Sequence, residues 1–216
     1  MSETDAAPLG NLLKTGDLVL FGGDALVSGL LRWFVRCRWS HIGMVLRSPE
    51  GEAPLLWEAV PRDRSRNGCE ISGTCVTRLF ERVVAFPGEV SLRALDRELS
   101  APQCRELDAL QREVAARGSE RSLLDLMSAG DDGWIGAAPG HLGTPLGAEL
   151  VAEAYQRLGL LDDVRRGGWP ASAYAPRDFA VGGRAQLKSG FALGPEIPLR
   201  SHAQAPGWTG LTPQTA

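Results

Sequence analysis

The sequence predicts an α+β domain. Short apolar segments rich in branched residues occupy the first half of the chain, amphipathic helical patterns follow, and a Pro/Gly-rich segment returns at the C-terminus. The 216 residues suffice for one well-buried core and are few for two, and 44% hydrophobic with 23% charged residues is the composition of an ordered globular chain. We place an N-terminal extension at residues 1–13, the folded domain at 14–200 and a flexible tail at 201–216.

The elements follow in order. Asp17 to Phe21 form a short apolar strand between glycines in "KTGDLVLFGG". Asp24 then caps a helix whose Leu26, Leu30, Trp33 and Phe34 fall on one stripe. "SHIGMVLR" and "APLLWEAV" read as strands, with further strands around Cys75–Phe80 and Glu89–Leu95. A helix with a Ser100 cap carries Leu107, Leu110 and Val114 on one side and closes at Gly118. A Gly-rich loop spans residues 129–143. The helix after it, over 145–160, turns Leu150, Val151, Ala154, Tyr155 and Leu158 inward. The segment from Gly167 has one short helix, at "APRDFA".

Composition excludes several functions. A net charge of −3 provides no basic field for nucleic acid, so none is expected as a partner. No run approaches the roughly 18 apolar residues of a membrane span, and "MSETDAAPLG" lacks the layout of a signal peptide, so cytoplasmic residence is expected. Cys37, Cys69, Cys75 and Cys104 have neither CxxC nor zinc spacing and read as reduced thiols; a Cys69–Cys75 disulfide is the less favoured reading. His141, in the Gly-rich loop, and His202, in the tail, share no ligand spacing with Cys or acid, so no metal is expected.

Two residues carry chemical potential. His41 opens an apolar strand, and imidazole alone titrates near neutral pH without perturbation, which suits a general base; a hydrogen-bonded structural histidine is the plain alternative. A base needs an orienting group on its second nitrogen. Glu58, a lone acid in "LLWEAV", is the candidate, its alternative being an outward-facing residue on an edge strand.

"TGDLVLFGGDALVSGLLRWFVRCRWSHIGMVL", with "LLWEAV" and the later "AELVAEAYQRLGLL", resembles the circularly permuted papain-like cysteine hydrolases. These are relatives of the NlpC-type cell-wall peptidases and, more distantly, of lecithin retinol acyltransferase. The resemblance runs from about Lys14 to Leu199 and implies an antiparallel sheet or half-barrel packed against helices. It also implies that His41 is the base, that Glu58 orients it, and that the nucleophile opens the 145–160 helix in a Cys-Ser-Glu-Leu-Val run. A thiol there gains from the helix dipole and a neighbouring imidazolium.

Here that run reads Gly147-Ala148-Glu149-Leu150-Val151. Gly147 takes the cysteine's place; in the acyltransferase register, where Cys directly precedes Glu, Ala148 does. The thiol is missing either way. Natural loss and an inactivating substitution both account for this, and the Gly147 register favours natural loss. The resemblance thus implies a pseudoenzyme that binds a peptide, acyl or lipid ligand, or a partner protein. The alternative is a thiol hydrolase or acyltransferase acting on amide or ester bonds, disabled at 147 or 148 or using another residue. No cofactor is implied. The segment Arg32–Trp39, with Arg36, Arg38, Trp33 and Phe34, reads either as a peripheral membrane contact or as a core helix with a basic edge.

Overall fold

The computed structural model describes residues 12–22, 38–47, 52–59, 74–117 and 145–200. Six antiparallel strands form one sheet: β1 (Leu18–Gly22), β2 (His41–Leu46), β3 (Leu55–Ala59), β4 (Thr74–Arg78), β5 (Glu89–Leu95) and β6 (Leu193–Arg200). Their order across the sheet is β4-β3-β2-β1-β5-β6. Among the described residues three α-helices accompany them: α1 (Leu79–Ala85), α2 (Ala101–Arg117) and α3 (Pro145–Arg157). The α+β class therefore holds.

Both faces of the sheet are covered, so β1 is buried at all five residues rather than alternating. One face carries Leu18, Leu20, Ile42, Met44 and Trp57, packed against Leu107 and Leu110 of α2 and Val151, Ala154 and Tyr155 of α3. The other carries Val19, Phe21, Val45, Leu56, Val90 and Leu92 against Leu79 and Val83 of α1. Leu150 and Leu158 are also buried, as the stripe on the 145–160 segment requires. That helix ends sooner than its pattern: Gly159 turns left-handed at φ 71°. Leu160 N then donates to Tyr155 O and Gly159 N to Gln156 O, the paired bonds of a Schellman cap.

Three further boundaries differ from the sequence expectation, and the segment from Gly167, expected to hold one short helix, also forms β6. Residues 75–80 read as one strand, but the chain turns helical at Leu79, because Leu79 and Val83 lie one turn apart and bury together. The first strand is shifted by one residue to Leu18–Gly22, leaving Asp17 as a buried junction. Leu13, assigned to the N-terminal extension, is 4% exposed and packs in the second core cluster, so the folded unit takes it in. At Ser100 the contact runs one way: its N–H and hydroxyl both donate to Gln103 Oε1. The 24–34 helix, Gly118, the 129–143 loop, residues 1–11 and the tail 201–216 lie outside the described residues.

Asp17 ties the sheet together. Its carboxylate accepts from Lys14 N and Leu95 N, each at 2.8 Å, and its carbonyl accepts from Val45 N at 2.7 Å. Gly16 beside it has φ 97°, which a side chain rarely adopts, and its carbonyl accepts the Tyr155 hydroxyl at 2.7 Å. One turn thereby links β1, β2, β5 and α3. Burial raises the Asp17 pKa above its ordinary value, against the opposing backbone hydrogen bonds from Lys14 and Leu95.

Asp17→Ala leaves the buried Leu95 N–H without its acceptor and is expected to cost about 2–4 kcal/mol of unfolding free energy. Tyr155→Phe, which removes one hydroxyl donor, is expected to cost about 1 kcal/mol. Urea unfolding of the two variants beside the parent measures both. A loss below about 0.5 kcal/mol for Asp17→Ala, the range of ordinary surface changes, would remove the turn from its central place.

Candidate active site

His41 is the first residue of β2, and the strand register determines what it meets. Gly43 pairs with Glu58 of β3, and residues two apart on a strand share a face, so the His41 and Glu58 side chains are diagonal neighbours. His41 Nε2 lies 2.7 Å from Glu58 Oε2. Glu58 is 1% exposed and lies on β3, an interior strand between β2 and β4, which overturns its reading as an outward-facing edge residue.

The carboxylate has a second partner. Arg82, on α1, donates Nε–H to Glu58 Oε1 at 2.7 Å. Its guanidinium lies over the rings of Phe21 and Phe86, at 4.9 and 5.4 Å from their centroids, and the Phe21 ring also packs 5.6 Å from that of His41. Burial pushes the Glu58 pKa up. The hydrogen bond and charge of His41, joined by the charge and hydrogen bond of Arg82, outweigh burial and hold the carboxyl below its ordinary value of 4.5. The sequence reading missed Arg82. Its only signal was indirect: a buried glutamate has two oxygens to satisfy, and His41 supplies a donor for one.

The other edge of the imidazole meets the start of α3. A Cβ placed on Gly147 would lie 3.3 Å from His41 Nδ1, 3.3 Å from Cε1 and 3.0 Å from the Ile42 carbonyl oxygen. Ala148 is fully buried in the core. The ring therefore faces position 147, while Ala148 belongs to the packing against the sheet. His41, Glu58 and Gly147 come together, and Arg82 joins them.

An imidazole held by a buried carboxylate, beside a helix N-terminus, can accept a proton from a group at position 147 and favour negative charge there. Position 147 offers only backbone. The described thiols lie elsewhere. Cys75 pairs with Glu58 across β3 and β4, two strand spacings from β2, or about 10 Å. Cys104 adjoins Gln103, whose side chain donates to Leu158 O beyond the far end of α3; eleven residues of helical rise from Gly147 to Leu158 amount to about 16 Å. Cys37, Cys69 (and with it the Cys69–Cys75 disulfide), His141 and His202 lie outside the described residues.

Among the described residues, no three His, Cys, Asp or Glu side chains are grouped to hold a metal ion. No helix among them is long and apolar enough to cross a membrane. In the Arg32–Trp39 segment the two described residues are engaged within the fold. Trp39 is buried with its Nε1–H donated to Glu196, and Arg38 pairs with Glu89 at 2.8 Å and Glu196 at 3.4 Å.

No protein-family model and no curated protein matches the chain. Among solved structures it is similar to the metalloprotein yiiX of Escherichia coli O157:H7, DUF1105, at 16% identity and a TM-score of 0.42. The match covers 68% of this chain and 66% of that one. A likeness at this level assigns neither a family nor an activity.

The lowered Glu58 pKa sets an acid dependence. The unfolded chain takes up this proton before the folded one, so the stability contributed by the carboxylate is complete above the unfolded value of 4.5 and is lost as pH falls through the folded value. Glu58→Gln should cost about 3 kcal/mol at neutral pH, because Arg82 is left without its counter-ion. The gap between parent and variant should narrow as the pH is taken below 4.5 in a urea-unfolding series. A gap that stays constant with pH would assign the cost to packing.

Proposed function

We propose that the chain is a non-catalytic member of the permuted papain-like cysteine hydrolases, binding a peptide or acyl ligand, or a partner protein, in the cleft between β2 and the start of α3. One observation carries the reading: the Nδ1 edge of His41, already paired with Glu58 through Nε2, is turned toward a glycine at the helix N-terminus. Acyl transfer through a thiol requires an S–H within about 3 Å of the imidazole. Gly147 has none; Cys75 stands on β4, two strands from β2, and Cys104 adjoins Gln103 beside the far end of α3. The remaining polar groups suit recognition: an imidazole nitrogen, the first turn of α3 and the walls around them.

A second reading has its own support. The base and its carboxylate remain in hydrogen-bond contact at 2.7 Å, the arrangement a working hydrolase or acyltransferase needs, so a substitution at position 147 alone would account for the vacancy. Both readings agree on the protein as its sequence stands and separate when the thiol is supplied.

The chain itself should show no turnover of ester or peptide substrates that iodoacetamide abolishes. Turnover lost on alkylation would assign the work to Cys37, Cys69, Cys75 or Cys104 and reject the non-catalytic reading. Gly147→Cys needs the Ile42 carbonyl to yield by a few tenths of an ångström, and it then places a thiol against His41. Its alkylation rate should rise at pH values well below the free-thiol pKa of about 8.5, and His41→Ala should remove that rise. Ala148→Cys enters the core and should be slow to alkylate at every pH. If neither variant reacts in a His41-dependent way, the cleft is not a cysteine-hydrolase site; substrate turnover by Gly147→Cys favours the second reading.

A further inference from the structure

The Glu58 carboxylate is shared. Each oxygen has one partner at 2.7 Å, His41 Nε2 on Oε2 and Arg82 Nε on Oε1. An ionised carboxylate can only accept, so the proton in the His41–Glu58 contact belongs to Nε2. Neutral His41 then has its lone pair on Nδ1, the atom 3.3 Å from the Cβ position of residue 147. Arg82 keeps this assignment in force. Its charge and hydrogen bond help to keep Glu58 ionised despite burial. It is itself held over the Phe21 and Phe86 rings, on a helix anchored by Leu79 and Val83.

We infer that Arg82 is a positioning residue for His41: through Glu58 it holds the imidazole with Nε2–H on the carboxylate and a bare Nδ1 turned toward position 147. This deepens the reading of the cleft given above and rests on it, since Nδ1 is the atom a ligand at position 147 meets. A ligand group arriving there is recognised by neutral His41 when it donates a hydrogen, as an N–H, O–H or S–H does. Arginine suits the place better than lysine in geometry, because its broad guanidinium lies over both rings while its Nε–H donates to the carboxylate.

The test uses the full-length chain without substrate, ligand or added thiol, so its outcome is separate from that of the proposed function. The Glu58 side-chain carboxyl is titrated by carbon NMR and the His41 ring proton is observed by nitrogen-edited NMR, with His41→Gln and Glu58→Gln identifying the signals. In the parent chain Glu58 should titrate below 4.5, and a slowly exchanging Nε2–H proton should be seen on His41. Arg82→Gln retains a donor but no charge; it should raise the Glu58 midpoint by one pH unit or more, a tenfold change in proton affinity, and should speed exchange of the His41 proton. Arg82→Lys, which restores the charge, should bring the midpoint back toward the parent. A purely structural arginine would leave both signals in place in Arg82→Gln, and that result would overturn the inference. If Arg82→Gln does not fold, the parent and Arg82→Lys decide: a neutral His41 protonated on Nδ1 in the parent, or a Glu58 midpoint in Arg82→Lys displaced as far as that of an exposed glutamate, would overturn it equally.

Discussion

A carboxylate within the sheet is the constraint on which the site depends. Glu58 is almost fully buried in β3, where an unpaired charge would be prohibitively costly. Its oxygens therefore require donors, and the two that serve come from different elements, β2 and α1. Satisfying this one residue orients His41 and draws Arg82 of α1 over the Phe21 and Phe86 rings. The site is ordered because its central charge admits few other arrangements.

The scaffold around it is rigid for a related reason. Asp17 is a second buried carboxylate, and it is satisfied largely by backbone: N–H groups of Lys14 and Leu95 reach its side chain. With the Gly16 carbonyl taking the Tyr155 hydroxyl, the same turn binds the central strands to α3. The helix that begins against His41 is thus tied to the sheet through its body, by Val151, Ala154 and Tyr155. The closeness of Gly147 to the imidazole follows from packing elsewhere, with no side chain at 147 to hold it.

His41, Glu58 and Arg82 belong to the sheet face covered by α1, whereas α3 packs on the opposite face. They meet because His41 stands at the start of β2, where α3 also begins. A group from one layer is thereby presented to the first turn of a helix from the other, the kind of junction at which ligand sites form between layers. Gly147 brings no side chain to that turn, and the layers and their pairing hold without one. The imidazole is thus held in one orientation beside a residue that has no side chain.

Much of this was legible in the chain. Branched apolar runs specified β1, β2, β3 and β5, and the stripe through Leu150, Val151, Ala154 and Tyr155 specified α3, because these patterns report which side of a segment avoids water. His41 and Glu58 stood out as polar residues in apolar strands, and the run Gly147-Ala148-Glu149-Leu150-Val151 drew attention to position 147. Local pattern did not reveal α1, whose seven residues were too few for a clear helical period beside a strand of similar composition. It did not reveal Arg82 either, one arginine among many until a buried carboxylate claims it. Nor did it distinguish position 147 from 148, since one residue of register is a rotation of about 100° that only packing decides. The sequence by itself determined which segments bury and which residues carry chemistry, because both are properties of side chains. The tertiary structure decided which of those residues meet, because strand register and helix docking bring together groups separated by as many as 106 residues, as between His41 and Gly147.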